Sequence, residues 1–417
     1  MLSPSRLKDS IFYGWVLVIA FLFIGTIGYG ISSSFGVFFK SIASEFGLTR
    51  VATSGVVSVS AICGSLWSIL GGRALDRYGP RTVTLLIGLS IGVGLLLTSQ
   101  ANAAWQLFIT YSVLVSVLGA IYITIMGTVS KWFHKKRGLA LGIAGSGMGF
   151  GMIFMAPFAT YLISHFSWRM AYFIIGLIAW AVVIPLSGVL KKDPHEVGAL
   201  PDGRKSDSGE TGMAEAEDTT RTAGFSLADA SKTLNFWFFG FIWLLNAFCY
   251  FMVLTHIVPH TTDMDIPAMK AATILSLIGA SSIIGRLLMG KASDIMGRKK
   301  TAIICALLMA GAMMWLIGSQ GLWMFYLFGI VFGFSNGGID PSIAALVGET
   351  FGLRRIGAIM GTLQAAWGIG IAIGPATGGL IFDMNGSYFM AFLTGALGML
   401  IVALFITLTK QEKCPFP

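Results

Sequence analysis

Residues 72–81 read Gly72-Arg73-Ala74-Leu75-Asp76-Arg77-Tyr78-Gly79-Pro80-Arg81. The pattern returns 218 residues later as Gly290-Lys291-Ala292-Ser293-Asp294-Ile295-Met296-Gly297-Arg298-Lys299. The shared frame is a glycine, an aspartate four residues on, a second glycine three beyond that, and basic residues at the end. The same shift carries Trp105 to Trp323 and Gly119 to Gly337, and a shift of 219 carries Gly138 and Gly142 to Gly357 and Gly361. Single glycines match by chance, but a constant offset across several segments marks an internal repeat. The chain reads as two copies of one unit. In each copy the first glycine (Gly72, Gly290) would let helices approach closely and the Asp would cap a neighbouring helix N-terminus. The basic residues would stay at a water interface.

What surrounds the repeated stretch is apolar. Hydrophobic residues fill 55% of the 417 positions and charged residues 11%, against about 25% charged in an ordinary soluble domain. So few charges cannot cover a soluble surface, and lipid must be the outer solvent. A spanning helix needs about 20 largely apolar residues. On that criterion twelve helices are predicted, at roughly 12–38, 51–72, 82–99, 103–127, 138–163 and 169–190, then 235–258, 268–290, 300–318, 322–347, 357–381 and 387–408. The first apolar run, from Ile11, has full spanning length and no small-residue cleavage end, so it reads as a span and not a signal peptide. Cys63, Cys249, Cys305 and Cys414 lie far apart with no CxxC spacing, and they suggest neither a disulfide framework nor a metal site.

The net charge of +9 is distributed by topology, which argues against a nucleic-acid partner. With the N-terminus inside, all but Lys40, Arg50, Arg169, Lys270 and Arg286 of the 28 Lys and Arg fall in cytoplasmic segments. The positive-inside rule then places both termini in the cytoplasm, and the plasma (cell inner) membrane is the expected location. A polar stretch from Lys191, rich in Asp, Glu, Gly, Ser and Thr, reads as a flexible cytoplasmic linker. The expected organisation is a six-helix bundle over 1–190, the linker over 191–234, and a second six-helix bundle over 235–417. Parallel repeats of this kind suit carriers that rock around a midplane site.

The repeated motif resembles the loop signature between helices 2–3 and 8–9 of the major facilitator superfamily. Two further stretches narrow the resemblance. Tyr13-Gly14-Trp15 opens the first helix, and Lys131-Trp132-Phe133-His134-Lys135-Lys136-Arg137-Gly138-Leu139-Ala140-Leu141-Gly142-Ile143-Ala144-Gly145 opens the fifth. Both are similar to signatures of the monocarboxylate transporter family and its bacterial relatives. The resemblance implies the major facilitator fold: an all-α membrane protein of twelve transmembrane helices in two pseudo-symmetric bundles. It also implies a secondary active transporter of small monocarboxylates, L-lactate in particular, working with protons and without a cofactor, most simply as a monomer.

Arg286 stands out independently of any family. An arginine this deep in a span costs about 3 kcal/mol or more to insert, so it should face a cavity or a partner. Snorkelling to the nearby headgroups is the alternative, since Lys291 is close in sequence. Against it, Ser276, Gly279, Ser282 and Arg286 recur at spacings of three and four, which makes one small, polar helix face. A guanidinium matches a carboxylate through paired donors, and the family's helix 8 arginine, whose place Arg286 occupies, binds the substrate carboxylate.

Asp340 is the second charge inside a span, and the 218-residue shift sets it opposite Tyr122. It is read as a carboxylate that pairs with Arg286 in the empty carrier and takes a proton as substrate arrives; a structural salt bridge or a packing role before Pro341 is the alternative. Animal members of the family carry an Asp where this chain has Ser282 and a Lys where it has Ser33, so their proton-transfer residues do not carry over. Asp340 is therefore the first candidate for proton coupling, and His256 the second. Tyr29, Tyr122, Asn246 and Asn336 are candidate hydrogen-bond donors to the substrate, or else links between helices. The related oxalate:formate exchanger has a helix 11 lysine where this chain has Trp367, which favours one carboxylate per substrate.

Other classes fit less well. Anion exchange of the oxalate:formate type is the nearest alternative. A non-transporting membrane sensor would need a folded output domain, and the linker is too polar to be one. There is no HExxH, nucleophile elbow or Walker A motif, so neither an enzyme nor an ATP-driven pump is expected.

Overall fold

The computed structural model describes residues 12–133, 137–197, 225–352 and 356–409. The side chains of Asp76, Arg137 and Asp294, and those of residues 356–358, also lie outside the described set. Among the described residues, twelve helices are long and apolar enough to cross a membrane. They are α1 (Tyr13–Phe46), α2 (Arg50–Leu75), α3 (Arg77–Ser99), α4 (Ala104–Trp132), α5 (Leu139–His165) and α6 (Trp168–Val189), then α7 (Leu234–Thr262), α8 (Ala268–Ser293), α9 (Arg298–Ile317), α10 (Leu322–Phe351), α11 (Ile359–Asn385) and α12 (Phe389–Leu408). Helices satisfy every backbone polar group within their own segment, which hydrocarbon demands. Their starts are capped where Thr49, Ser167 and Thr233 accept bonds from the N–H groups of Ala52, Met170 and Phe236.

Eleven of these spans run within five residues of the sequence reading at both ends. The largest extension is in α1, which breaks at Ser34 and continues as Phe35–Phe46. That last piece is amphipathic. Phe35, Phe38, Phe39 and Ile42 are buried, while Ser44 and Glu45 are exposed, so a simple apolar run ends before the helix does.

The repeat is visible in the contacts. Gly79 and Gly297, at equivalent positions, turn the chain with φ of 78° and 95°, a region that penalises any side chain. Gly119 on α4 lies against the backbone of Gly64 on α2, and its counterpart Gly337 on α10 lies against the backbone of Ser282 on α8. Gly64 and Ser282 are themselves related by the same shift. The buried side chains form one cluster from residues 17–190 and another from 225–406, the second reaching across to take in Met152 and Ala156 of α5.

Two expectations are corrected. Gly72 and Gly290 do not carry close helix contacts: a methyl at Gly72 would make only ordinary contact with Ile123, and one at Gly290 would meet open space. The stretch expected to be a flexible linker is folded at both ends. Pro194–Val197 forms a 3-10 turn, and Ser226 caps a one-turn helix, Leu227–Ala230. Phe225 is buried there, bonds through its N–H to the Phe351 carbonyl at 2.9 Å and packs edge-on against the Phe351 ring. An apolar anchor outweighs the polar composition around it. Residues 198–224, which make up the rest of that stretch, lie outside the described residues, as do 134–136 of the fifth-helix signature.

Candidate functional site

Small residues decide which helices can meet in mid-membrane. On α10, Gly329, Gly333 and Gly337 lie against the backbone of Ile274, Ile278 and Ser282 on α8. The register is constant at 55 residues, so the two helices run side by side and Arg286 stands level with Pro341, next to Asp340. A side chain at Gly337 would strike the Ser282 carbonyl and the Arg286 amide. Glycine here fixes the depth of the arginine relative to the carboxylate.

The opposite face of α8 meets α5, which comes from the first six spans. Ser276 donates to the Ile153 carbonyl at 2.9 Å, Gly279 and Gly149 lie backbone against backbone, and Arg286 Nη1 is 3.5 Å from the Gly145 carbonyl. Three members of the small polar face read from the sequence thus line one seam between the halves. Ser282 turns its hydroxyl back to the Gly279 carbonyl, 2.8 Å away.

Asp340 accepts a hydrogen bond from Asn246 Nδ2 on α7 at 2.9 Å. It forms no ion pair with Arg286 among the described residues, which corrects the expectation that the two pair directly. Asn246 Oδ1 and Asn336 Oδ1 are buried without a partner in the described structure. Such orphans are rare, and they mark polar capacity turned toward this region. Tyr122 is 49% exposed in the middle of α4. That surface faces the interior, because the ring lies within electrostatic range of both Asp340 and Arg286. Tyr29 is within range of Tyr122 and Arg286. Five of the sequence candidates (Arg286, Asp340, Asn246, Tyr122 and Tyr29) are thus gathered around one region, with Asn336 one helical turn before Asp340.

Sequence reasoning missed Tyr250. It lies within range of Asp340 and Arg286, stacks on Phe332, and points its hydroxyl across the seam to the Met152 sulfur at 3.6 Å. The available signal was its spacing, four residues after Asn246 on the same face of α7. Trp367 on α11 is half-buried and meets Phe251 of α7 edge-on, ring centroids 6.3 Å apart.

His256 lies elsewhere. It is fully buried at the end of the molecule where α1 meets α2 and α11 meets α12. Its Nε2 is 2.8 Å from the Pro375 carbonyl and 3.2 Å from Ser54 Oγ, and its Nδ1 is 3.0 Å from the Tyr388 hydroxyl. A carbonyl can only accept, so Nε2 carries a proton, and in the neutral ring Nδ1 then accepts from Tyr388. The Tyr388 hydroxyl in turn accepts from Arg50 Nη1 at 2.6 Å. Arg50 also pairs with Asp263 at 2.7 Å and stacks on Phe382, and Lys40 reaches the other Asp263 oxygen at 2.7 Å. Asp383 accepts the N–H groups of Arg50 and Val51 at 3.0 and 2.8 Å, which caps α2 from the far half. Among the described residues, the two ion pairs that cross between the halves are both at this end.

The repeated loop motif lies at the opposite end. Arg77 stacks over Tyr78, and Arg298 bonds Glu349 and Ser293 at 3.4 and 3.1 Å. The carboxylates of Asp76 and Asp294 lie outside the described residues.

Comparison with known proteins agrees with this architecture. The family model for the Major Facilitator Superfamily matches residues 17–295 and 282–413. Monocarboxylate transporter 13 of Bos taurus is 25% identical over 403 residues, covering 93% of this chain and 87% of that protein. Monocarboxylate transporter 12 of Xenopus laevis is 24% identical over 422 residues, covering 95% and 89%. Among solved structures, a bacterial homologue of the human lysosomal transporter Spinster, inward-facing and occupied, superposes with a TM-score of 0.71 at 13% identity, covering 96% of this chain and 97% of that one.

Proposed function

Because the chain belongs to the major facilitator superfamily and is a multi-pass membrane transporter, we propose that it carries small monocarboxylates, L-lactate and pyruvate-like anions, by alternating access with proton symport. The observation that carries this reading is the setting of Arg286. Among the described residues it is the one Lys or Arg in the middle of a span, it sits on the seam between the halves, and it has a neutral carbonyl 3.5 Å away. A guanidinium so placed keeps paired donors for a carboxylate. The names of the similar transporters from Bos taurus and Xenopus laevis support the same substrate class.

Size and charge follow from the neighbours. Trp367 brings bulk and no second cation, which suits one carboxylate. Tyr122, Tyr29, Tyr250 and Asn336 supply hydrogen-bonding groups for a hydroxyl or carbonyl beside it. Asp340, held by Asn246 near Arg286, is the proton carrier in this account: protonation removes its pull on Arg286 as the anion arrives. The outer end is closed by Arg50, Asp263, Lys40 and Asp383, which supports a state open toward the cytoplasm. On this reading both termini are cytoplasmic, the 191–234 stretch joins two six-helix units, and the carrier works as a monomer in the plasma membrane.

Uptake of radiolabelled L-lactate into proteoliposomes, with and without an imposed inward proton gradient, tests the proposal. Accumulation that follows the gradient is expected, and gradient-independent uptake would rule out symport. Anion exchange is the second reading, because the Asn246 bond to Asp340 would serve a purely structural carboxylate equally well. Uptake that requires a preloaded internal anion would favour it.

A further inference from the structure

The turn from α2 to α3 and the end of α6 frame an open cavity of about 240 Å³, away from the Arg286 region. Four cations line it, Arg77 and Arg81 from the turn and Lys191 and Lys192 from the end of α6, against a single acid, Glu196. Among the described residues Arg77, Arg81 and Lys191 have no ion-pair partner. The backbone shapes the floor: Gly79, at φ of 78°, breaks the helical path beside the Lys192 stem, and the helix resumes at Pro80. Trp132 Nε1 holds the Lys191 carbonyl at 3.3 Å, and Tyr13 holds that of Val189 at 2.7 Å, so the lysines sit on an anchored strand of chain.

We propose that this cavity binds the phosphate of an anionic membrane lipid. Concentrated positive charge beside a helix start is the chemistry that holds a phosphate oxygen. The site lies where the apolar runs of α2, α3 and α6 end, at headgroup level. Above it, Thr82, Leu86 and Leu89 share one face of α3; Thr82 lines the cavity, and Leu86 and Leu89 are 57% and 40% exposed. That face offers acyl chains a continuous apolar track leading away from the charged pocket. Tyr78 at the rim, 57% exposed, belongs at such an interface.

The test uses the full-length carrier in detergent and reads lipid adducts by native mass spectrometry. Dioleoyl phosphatidylglycerol and phosphatidylcholine are titrated into wild type and into the double variant Arg81→Gln/Lys191→Gln. A lysine or arginine near the surface contributes about fivefold in binding, so the double variant should lose roughly thirtyfold in affinity for phosphatidylglycerol and bind phosphatidylcholine unchanged. The charge-preserving variant Lys191→Arg should keep the preference, which separates charge from misfolding. Equal phosphatidylglycerol binding by wild type and the double variant would overturn the proposal. Displacement of phosphatidylglycerol by millimolar inorganic phosphate would overturn the lipid assignment and make this a site for soluble phosphate.

Discussion

Arg286 on α8 lies 3.5 Å from the carbonyl oxygen of Gly145 on α5, so the cation deepest in the spans sits where the two halves meet. A neutral carbonyl at that distance orients a guanidinium without neutralising it. The side chain carries five N–H donors, and one long contact leaves most of them for an anion. In the proposed alternating-access cycle, rocking of one half on the other would change this contact and so couple the charge to the cycle.

Asp340→Asn keeps the shape of the side chain and its acceptor oxygen but removes the proton site. We expect gradient-driven lactate accumulation to fall by at least about tenfold while exchange of internal for external lactate survives. Uptake across pH 5.5–8 in proteoliposomes is the readout. An unchanged pH profile would return Asp340 to a structural role.

Trp367→Lys would place a second cation on α11, across from α7. Selectivity should move from monocarboxylates toward a dicarboxylate such as oxalate, as two fixed charges match two carboxylates. Competition of unlabelled oxalate against labelled lactate measures the change, and oxalate that still fails to compete would remove Trp367 from the selectivity argument.

Gly337→Leu tests the packing that sets the depth of the site. The new side chain would strike the Ser282 carbonyl and the Arg286 amide. Overpacking of this kind costs about 1–3 kcal/mol. Thermal unfolding in detergent should show a lower midpoint, and the surviving protein should bind lactate weakly because Arg286 is displaced. A variant with wild-type stability and affinity would mean that α8 and α10 do not set the site.

How much of this was legible in the sequence differs from residue to residue. The twelve spans follow from composition, because lipid allows few alternatives. The repeat set Asp340 opposite Tyr122, and the two lie within electrostatic range; the small polar face of α8 pointed to the seam that Ser276, Gly279 and Arg286 line. Other features depend on three-dimensional neighbours that spacing does not encode. The motif glycines Gly72 and Gly290 looked like contact sites, yet the close approaches belong to Gly64, Gly119, Gly285 and Gly337. His256 could be named as a buried titratable group, but only the fold shows its bonds to Pro375, Ser54 and Tyr388. The π-turn over Thr110–Leu114 in α4 left no trace in hydropathy, since every residue type there also suits an ordinary helix.

Arg50→Gln should loosen the outer closure, because Arg50 joins Asp263, Tyr388 and Phe382 at once. Losing a pair of this kind shifts the balance by roughly 1 kcal/mol, about fivefold in the outward-open population. Labelling of a cysteine placed at Ser54, in a background without the native cysteines, by an impermeant maleimide should accelerate to match. The charge swap Arg50→Asp with Asp263→Arg should slow it again. Labelling rates that ignore both changes would show that the network does not hold this end shut.

The central claim is that Arg286 binds the substrate carboxylate, and calorimetric titration of L-lactate into purified protein tests it without any transport assay. Wild type should show saturable binding. Arg286→Gln should show a loss of at least about a hundredfold in affinity, since a charge-assisted bidentate contact contributes on the order of 3 kcal/mol, while eluting as the same monodisperse species. Lactate affinity in Arg286→Gln equal to that of wild type would contradict the account.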